Sequence, residues 1–156
     1  MKIALGADHR GDTSAKALLA HLQSAGQQVT LLGDCGGQAC DYPDNAYLVS
    51  KAVADGKAER GILICGSGIG VSIAANKIKG IRAALVFDEF GAAMSRSHND
   101  ANVLCLSADA TPIKEIMAIV ERWLKEPFEG GRHLRRVMKI AAIERGEDPS
   151  RVTVSV

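Results

Sequence analysis

The stretch Gly61-Ile-Leu-Ile-Cys65-Gly-Ser-Gly-Ile-Gly70 runs from a short apolar segment directly into three closely spaced glycines. An apolar run of this length, bounded by turn residues, is typical of a strand buried on both faces of a parallel sheet. The glycines stand where that strand would end and a helix would begin. The stretch therefore predicts one strand–loop–helix unit of an α/β fold.

The same alternation extends in both directions along the chain. Strand candidates are residues 2–5, 28–32, 61–64, 82–87 and 103–106. Helix candidates are residues 15–25, 43–56, 69–78, 89–97, 111–125 and 132–145. Strands joined by crossover helices predict a three-layer, Rossmann-like α/β fold with a five-stranded parallel sheet and helices on both faces. We expect one domain over residues 1–146, including the last helix, and a C-terminal arm over 147–156.

Composition and charge exclude several classes of protein. The chain has 156 residues, 47% of them apolar, and its 19 basic and 18 acidic residues leave a net charge of +1. No global field would attract nucleic acid or an anionic membrane, so any anion site must be local. The longest apolar runs have five residues, far fewer than the ~20 that span a bilayer. Because Asp8 interrupts the first apolar segment too early for a signal peptide, we expect a cytoplasmic protein.

The four cysteines are expected to be free thiols in that compartment. Cys35 and Cys40 are spaced slightly too widely for a metal knuckle and would need a third and a fourth ligand. Cys105 lies within an apolar strand and reads as a small buried residue.

Gly66, Gly68 and Gly70 predict an anion site in the loop after the third strand. Bare backbone N–H groups at a helix start can approach a negative charge closely, although a tight turn without a ligand has the same pattern. The loop lacks the lysine of a phosphate-binding Walker loop and the third glycine of a dinucleotide fingerprint. Asp88 could still supply the acidic partner of a dinucleotide, so nicotinamide binding remains a weaker alternative.

Cys65 stands at the end of the strand, immediately before these glycines. Helix-terminal N–H groups there would stabilise a thiolate, which can act as a base or a nucleophile. If the strand order is 2-1-3, the loop that carries Asp8 and His9 lies beside it. His9 could then be an acid or base oriented by a carboxylate, and His98, before the fifth strand, is open to the same interpretation.

Arg132, Arg136 and Lys139 recur at helical spacing on the last helix, away from the predicted apolar stripe of Leu134 and Met138. They form either a solvated basic face or a forked clamp for a phosphate. If this face meets a symmetry-related subunit, it would complete the partner's site, and the smallest assembly would be a dimer.

The chain resembles the ribose-5-phosphate isomerase B family, which also contains galactose-6-phosphate and allose-6-phosphate isomerases. The resemblance covers residues 2 to about 145. It rests on Ala-Asp8-His9-Arg-Gly, Asp41-Tyr42-Pro43, Cys65-Gly-Ser67-Gly-Ile-Gly-Val-Ser-Ile-Ala-Ala-Asn76-Lys77, Ser-Arg-Ser-His98-Asn99-Asp100-Ala-Asn102 and Glu-Gly-Gly-Arg132-His133.

The resemblance implies a metal-independent aldose–ketose isomerase without a cofactor, acting on a sugar phosphate. It also implies a homodimer or a dimer of dimers whose sites are shared between subunits. The catalytic residues would be Cys65 as base, Ser67 at the enediolate oxygen and His98 in ring opening. The substrate-binding residues would be Asp8, His9, Tyr42, Gly66, Gly68, Gly70, Asn99, Arg132 and Arg136.

Asp109 departs from the family pattern, in which an arginine usually follows the fifth strand. An inward-pointing carboxylate would repel a phosphate, so Asp109 turns away, or another cation such as Arg135 or Lys139 substitutes, or the substrate differs. We expect interconversion of ribose 5-phosphate and ribulose 5-phosphate through a cis-enediolate. The alternatives are an isomerase of a four- or six-carbon aldose phosphate, a nicotinamide-dependent dehydrogenase and a non-catalytic sugar-phosphate-binding subunit.

Overall fold

A single parallel sheet organises the computed structural model, which describes residues 1–33 and 35–153. Its strands are β1 (Lys2–Ala7), β2 (Gln28–Leu31), β3 (Arg60–Cys65), β4 (Ala83–Leu85) and β5 (Val103–Ser107). They lie in the order β2-β1-β3-β5-β4, and every neighbouring pair is parallel. The predicted α/β architecture is confirmed, and the observed order contains the 2-1-3 arrangement on which the placement of the Asp8 loop depended.

Helices follow the strands as the sequence pattern indicates. They are α1 (Asp12–Ser24), α2 (Tyr42–Ala54), α3 (Ile69–Ala75), α4 (Glu89–Ser97), α5 (Ile113–Lys125) and α6 (Gly131–Glu144). Pro43 lies in the first turn of α2, where its missing N–H costs no hydrogen bond. Asp88 caps α4 by accepting a hydrogen bond from the Gly91 amide at 2.6 Å, which satisfies one of the free donors of the first turn.

Two buried cores lie on opposite faces of the sheet. Alternate residues of one strand belong to different cores, as Ile62 and Leu63 do, because successive side chains of a strand point to opposite faces. Helices α1, α4 and α5 contribute to the core that contains Ile62, and α2 and α3 contribute to the core that contains Leu63. The sheet is therefore the middle of three layers.

Most element boundaries lie one to three residues from the predicted ones. Strand β4 begins after Arg82, because the Arg82 amide donates to the side chain of Asn102 at 2.8 Å instead of joining the ladder. The arm after residue 146 contains a 3₁₀ turn at Pro149–Arg151 next to α6.

The predicted apolar stripe of α6 does not face a core. Leu134 and Met138 are each 41% exposed, and the buried residues of this helix are His133 and Ala142. This exposure follows from the position of α6. The helix lies beside residues 80–82, and its Glu144 side chain accepts a hydrogen bond from the Gly80 amide. The described residues of one chain therefore leave an apolar face of α6 uncovered.

None of the helices in the described residues has the length and apolar character that crossing a membrane requires.

Packing of α1 against the sheet can be tested by substituting adjacent residues. Leu22 is 2% exposed within the core, whereas Gln23 is exposed. We expect Leu22→Ala to lower the free energy of unfolding by about 2–5 kcal/mol, because it removes buried methyl groups and leaves a cavity. Gln23→Ala, the matched control, should change it by less than about 0.5 kcal/mol. Urea unfolding measures both values, and equal losses would contradict this packing of α1.

Candidate active site

The loops after β1 and β3 lie side by side at the carboxyl edge of the sheet. The Asp8 amide donates to the Ile64 carbonyl at 3.2 Å, and the Asp109 amide, after β5, donates to the Gly66 carbonyl at 3.0 Å. The strand order reverses between β1 and β3, which is where open parallel sheets bind ligands. We call Asp8, His9, Tyr42, Cys65 and the loop Gly66–Gly70 the carboxyl-edge cluster.

The Cys65 sulfur lies under the glycine loop. Its Sγ accepts a hydrogen bond from the Gly68 amide at 3.1 Å, and the residue is 4% exposed. An N–H directed at sulfur stabilises negative charge there and keeps the side chain oriented. Gly68 has a φ of +74° and directly precedes α3, a conformation that glycine adopts without strain.

Each of the three glycines also allows a close approach of other parts of the chain. A Cβ at Gly70 would lie 2.5 Å from Tyr42 Cζ, and a Cβ at Gly68 would lie 2.5 Å from Leu85 Cδ1. A Cβ at Gly66 would lie 2.8 Å from Arg10 Nε. The close packing at Gly70 brings the half-exposed ring of Tyr42 against the loop, as its predicted role requires.

The other polar residues of this cluster have defined partners. Asp8 is buried, and its Oδ1 accepts from the Arg10 and Gly11 amides at 2.9 and 3.0 Å. Ser67 is exposed, with Oγ 3.3 Å from the Ile69 amide. His9 is exposed, and its Nδ1 accepts from the Cys40 amide at 3.4 Å. One oxygen of Asp8 thus shapes the loop that presents His9.

Asp109 turns toward Arg10, which the sequence analysis did not single out. Arg10 Nη2 lies 2.8 Å from Asp109 Oδ2, and Arg10 Nε lies 3.0 Å from the same oxygen. The hydrogen bond and charge of Asp109 raise the pKa of the Arg10 guanidinium. The carboxylate that departs from the family pattern is therefore paired with a cation within the chain.

Cys35 and Cys40 form a disulfide, so the expectation that all four cysteines are free thiols was wrong. Gly36 and Gly37 both have positive φ, and they turn the chain so that the two Cα atoms come within 5.9 Å, a separation that a disulfide spans. Cys105 is free and buried as predicted, and burial raises the pKa of its thiol.

His98 and Asn99 lie at the opposite, amino edge of the sheet. They follow α4 and precede β5, whose first residue Val103 pairs with Gly61, whereas Cys65 pairs with Ser107 at the other end. Four residue steps of about 3.3 Å separate these ends, or roughly 13 Å along the strands. Within one chain the fold therefore does not bring His98 to Cys65.

Arg96, Asp100 and Arg82 hold the turn that carries His98 and Asn99. Arg96 Nη1 lies 2.8 Å from Asp100 Oδ1, and Arg82 Nη2 lies 2.8 Å from the other carboxylate oxygen, Oδ2. Asp100 has a φ of +48°, a conformation uncommon for a residue other than glycine or asparagine. The sequence analysis did not assign this network, although the Arg-Ser-His-Asn-Asp run contains two of its members.

The residues His98, Asn99, Glu129, Arg132, His133 and Arg136 form what we call the amino-edge cluster. The rings of His98 and His133 stack with centroids 4.0 Å apart and planes 7° apart. Arg132 Nε donates to His133 Nε2 at 3.3 Å. Burial, then the neighbouring His98 and Arg132, lower the pKa of His133. The cluster concentrates positive charge around the His133 ring.

A metal ion fits the amino-edge cluster poorly. His98, Glu129 and His133 offer atoms within 4.8 Å of one another that could hold a metal. Parallel stacked imidazoles cannot both direct their lone pairs, which lie in the ring planes, at one ion.

Asp88 accepts a hydrogen bond from its own helix at Gly91, so this oxygen is engaged in capping and not left for a dinucleotide ribose.

Arg135 and Lys139 do not join Arg132 and His133. With Arg136 they line an open groove of about 460 Å³ that ends on Val152 and Thr153. Neither residue therefore replaces the missing arginine at the carboxyl edge within one chain.

These features define a class of α/β protein with a glycine loop at the switch point of a parallel sheet and a basic cluster at the other edge. Residues 3–140 match the family model of the Ribose/Galactose Isomerases. The chain belongs to this family.

Named relatives agree with the assignment over nearly the whole chain. Ribose-5-phosphate isomerase B of Escherichia coli is 45% identical over 92% of this chain and 96% of that protein. D-erythrulose-4-phosphate isomerase of Pectobacterium atrosepticum is 40% identical over 94% and 97%. The crystal structure of Mycoplasma genitalium ribose-5-phosphate isomerase B with bound ribulose-5-phosphate has a TM-score of 0.89 and 46% identity, covering 92% and 96%.

The charge environment of His133 can be tested by NMR titration of the histidine rings. We expect His133 to titrate below its ordinary pKa, and Arg132→Gln to raise that pKa because one neighbouring positive charge is removed. Arg135→Gln removes the same charge from a residue that does not contact His133, so it should leave the pKa unchanged. Equal shifts in both variants would contradict a specific effect of Arg132.

Proposed function

We propose that this protein interconverts ribose 5-phosphate and ribulose 5-phosphate in sites that two copies of the chain build together. Family membership makes it an aldose–ketose isomerase, and its relatives include isomerases of sugar phosphates. The observation that carries the proposal is the separation of two complementary clusters. Cys65 and the glycine loop lie at one edge of the sheet, and His98 and the arginines lie at the other.

Each cluster lacks what the other supplies. The carboxyl-edge cluster has a thiol and an oxyanion loop, but the nearby Arg10 is paired with Asp109. The amino-edge cluster has exposed guanidinium groups at Arg132 and Arg136. The uncovered apolar face of α6 lies beside those arginines, which supports its burial against a second copy. In an isologous dimer, two such contacts complete two sites.

The chemistry follows from these positions. His98 would move a proton during opening of the furanose ring, and the Cys65 thiolate would then remove the proton from carbon 2 of the aldehyde. The resulting cis-enediolate would be held by Ser67 and the loop N–H groups. Removal of one such donor typically costs about 10²–10³ in turnover. The proton returns from sulfur to carbon 1, and the hydroxyl proton moves from the oxygen on carbon 2 to the oxygen on carbon 1, which gives the ketose.

The remaining candidate residues bind and orient the sugar phosphate. Asp8, Tyr42 and Asn99 are proposed to contact the sugar. His9, with Arg132 and Arg136 of the second copy, is proposed to hold the phosphate, since paired guanidinium groups match its oxygens. At the carboxyl edge, Cys65 has little exposure, so water competes weakly for the hydrogen bond that its sulfur accepts from the Gly68 amide.

A four-carbon aldose phosphate is the second candidate substrate. Asp109 stands where the family usually has arginine, and one relative that is 40% identical is a D-erythrulose-4-phosphate isomerase. The predicted cytoplasmic location, independence of metal and absence of a cofactor stay predictions within this proposal.

Substrate choice is tested by assaying purified protein on erythrose 4-phosphate, ribose 5-phosphate and a six-carbon aldose phosphate, with and without a chelator. We expect the highest kcat/KM on ribose 5-phosphate and no effect of chelation, because the proposed base is a thiol. Asp109→Arg should not improve that value. A higher kcat/KM on the four-carbon sugar, or a gain in the variant, would favour the second candidate, and loss of activity on chelation would contradict the cysteine base.

Sharing of sites between copies is tested by mixing two inactive variants. Cys65→Ser and His98→Gln should each lower kcat at least a hundredfold. Refolded together in equal amounts, they should recover about a quarter of wild-type activity, because half the dimers are mixed and each holds one intact site.

The control for this experiment is a mixture of Cys65→Ser with the double variant Cys65→Ser/His98→Gln, which contains no Cys65 thiol and should stay inactive. If the mixture of Cys65→Ser with His98→Gln is also inactive although mass spectrometry detects mixed dimers, the proposal of a shared site is wrong.

A further inference from the structure

The segment from Cys35 to Cys40 is a covalently closed turn beside the proposed substrate site. Gly36 and Gly37 have φ values of +59° and +77°, and the Gln38 amide donates to the Cys35 carbonyl at 3.0 Å. This turn brings the two sulfurs together in the disulfide. Residues 36–39 are exposed and belong to neither buried core.

The disulfide lies against the end of β1. Asn45 is buried, and its Nδ2 lies 2.8 Å from the Ala7 carbonyl oxygen and 3.3 Å from Cys35 Sγ. Cys35 Sγ itself lies 3.6 Å from the same carbonyl oxygen. The Cys35 sulfur therefore lies against the backbone immediately before Asp8 and His9, while both cysteines stay partly exposed to a small reductant.

His9 is joined to this turn by one hydrogen bond. The Cys40 amide donates to His9 Nδ1 at 3.4 Å. A neutral imidazole that accepts at Nδ1 carries its proton on Nε2, which leaves Nε2–H as a donor for an anion. The position of the Cys40 amide, which the disulfide restrains, thus selects the tautomer of His9.

We propose that Cys35–Cys40 is a reversible redox modification site, taking a dithiol as its co-substrate, that controls how firmly His9 binds the sugar phosphate. The effect on substrate rests on the proposed function, whereas the modification itself does not. Reduction releases a turn with two left-handed glycines, which gain more freedom than other residues, and the Cys40 amide is no longer held at His9.

The exchange balances as an ordinary thiol–disulfide reaction. A thiolate of the dithiol attacks one protein sulfur, the S–S bond breaks, and a mixed disulfide forms. The second thiol of the reductant displaces the remaining protein sulfur. Two electrons and two protons pass to Cys35 and Cys40, and the dithiol becomes a cyclic disulfide.

The covalent state is measured first, without reference to activity. Protein purified without reductant is denatured, alkylated and weighed by mass spectrometry. We expect two alkyl groups, on Cys65 and Cys105, and four after treatment with dithiothreitol. Removal of the reductant in the presence of oxidised dithiothreitol should restore two. Four alkyl groups under every condition would overturn the proposal.

The consequence for His9 is measured by NMR and by kinetics. In the oxidised protein the ¹⁵N shifts of the His9 ring should report a proton on Nε2, and reduction should mix the two tautomers. Reduction should raise KM for ribose 5-phosphate about three- to tenfold, as expected for the loss of one hydrogen bond, with kcat changed less than twofold. The double variant Cys35→Ser/Cys40→Ser should have the raised KM of the chemically reduced protein, with or without dithiothreitol.

Two further variants separate this effect from general loosening of the loop. Ala39→Ser keeps both cysteines in the same turn and should respond to dithiothreitol as the wild type does. His9→Gln should have a raised KM that reduction does not raise further. Identical His9 spectra and KM values in the two redox states would overturn the proposal. Redox-dependent His9 spectra in a protein without isomerase activity would contradict the proposed function and leave the modification site standing.

Discussion

The hydrogen-bonded register between β3 and β5 constrains the chemistry of the molecule more than any single side chain does. It pairs Cys65 with Ser107 at one edge of the sheet and Gly61 with Val103 at the other. A parallel sheet cannot place a strand's two ends at the same edge, so a residue that precedes β5, such as His98, is held away from one that ends β3. Any reaction that needs both must take one of them from another chain.

The glycine loop shows why a sequence pattern can be read correctly and still be ambiguous. Gly66, Gly68 and Gly70 lack side chains where Arg10, Leu85 and the ring of Tyr42 approach. The contacts with Leu85 and Tyr42 explain Gly68 and Gly70 without a ligand, whereas Gly66 meets the ends of the exposed, flexible Arg10 and Asp109 side chains, which can move aside. The hydrogen bond from the Gly68 amide to Cys65 Sγ is the feature that steric packing alone does not require. That bond and the family membership of the chain are what support a reactive site at this loop.

Local patterns predicted the order of strands and helices, the glycine loop and the burial of Cys105, because each depends on residues close together in sequence. Pairings between distant loops were not predictable in this way. Arg10 meets Asp109 across 99 positions, and only the adjacency of the loops after β1, β3 and β5 reveals it. The disulfide at Cys35 was not predicted, because the chain's size and expected compartment favour free thiols, although two consecutive glycines between the cysteines favour a turn that brings them together. The exposed stripe of α6 could not be assigned, since apolar periodicity marks a buried face without saying which chain buries it.

In the proposed dimer, the distribution of positive charge over the two chains links binding of the sugar phosphate to formation of the dimer. Asp109 neutralises Arg10 at the carboxyl edge, so His9 is left there as the weaker, titratable donor. The permanent charges of Arg132 and Arg136 lie at the other edge. A sugar phosphate then binds the paired chains more tightly than a single chain, and by linkage it must stabilise the pair by the same free energy. The substrate's phosphate would thus help to hold together the site that converts it, because neither chain alone carries a complete set of phosphate-binding cations.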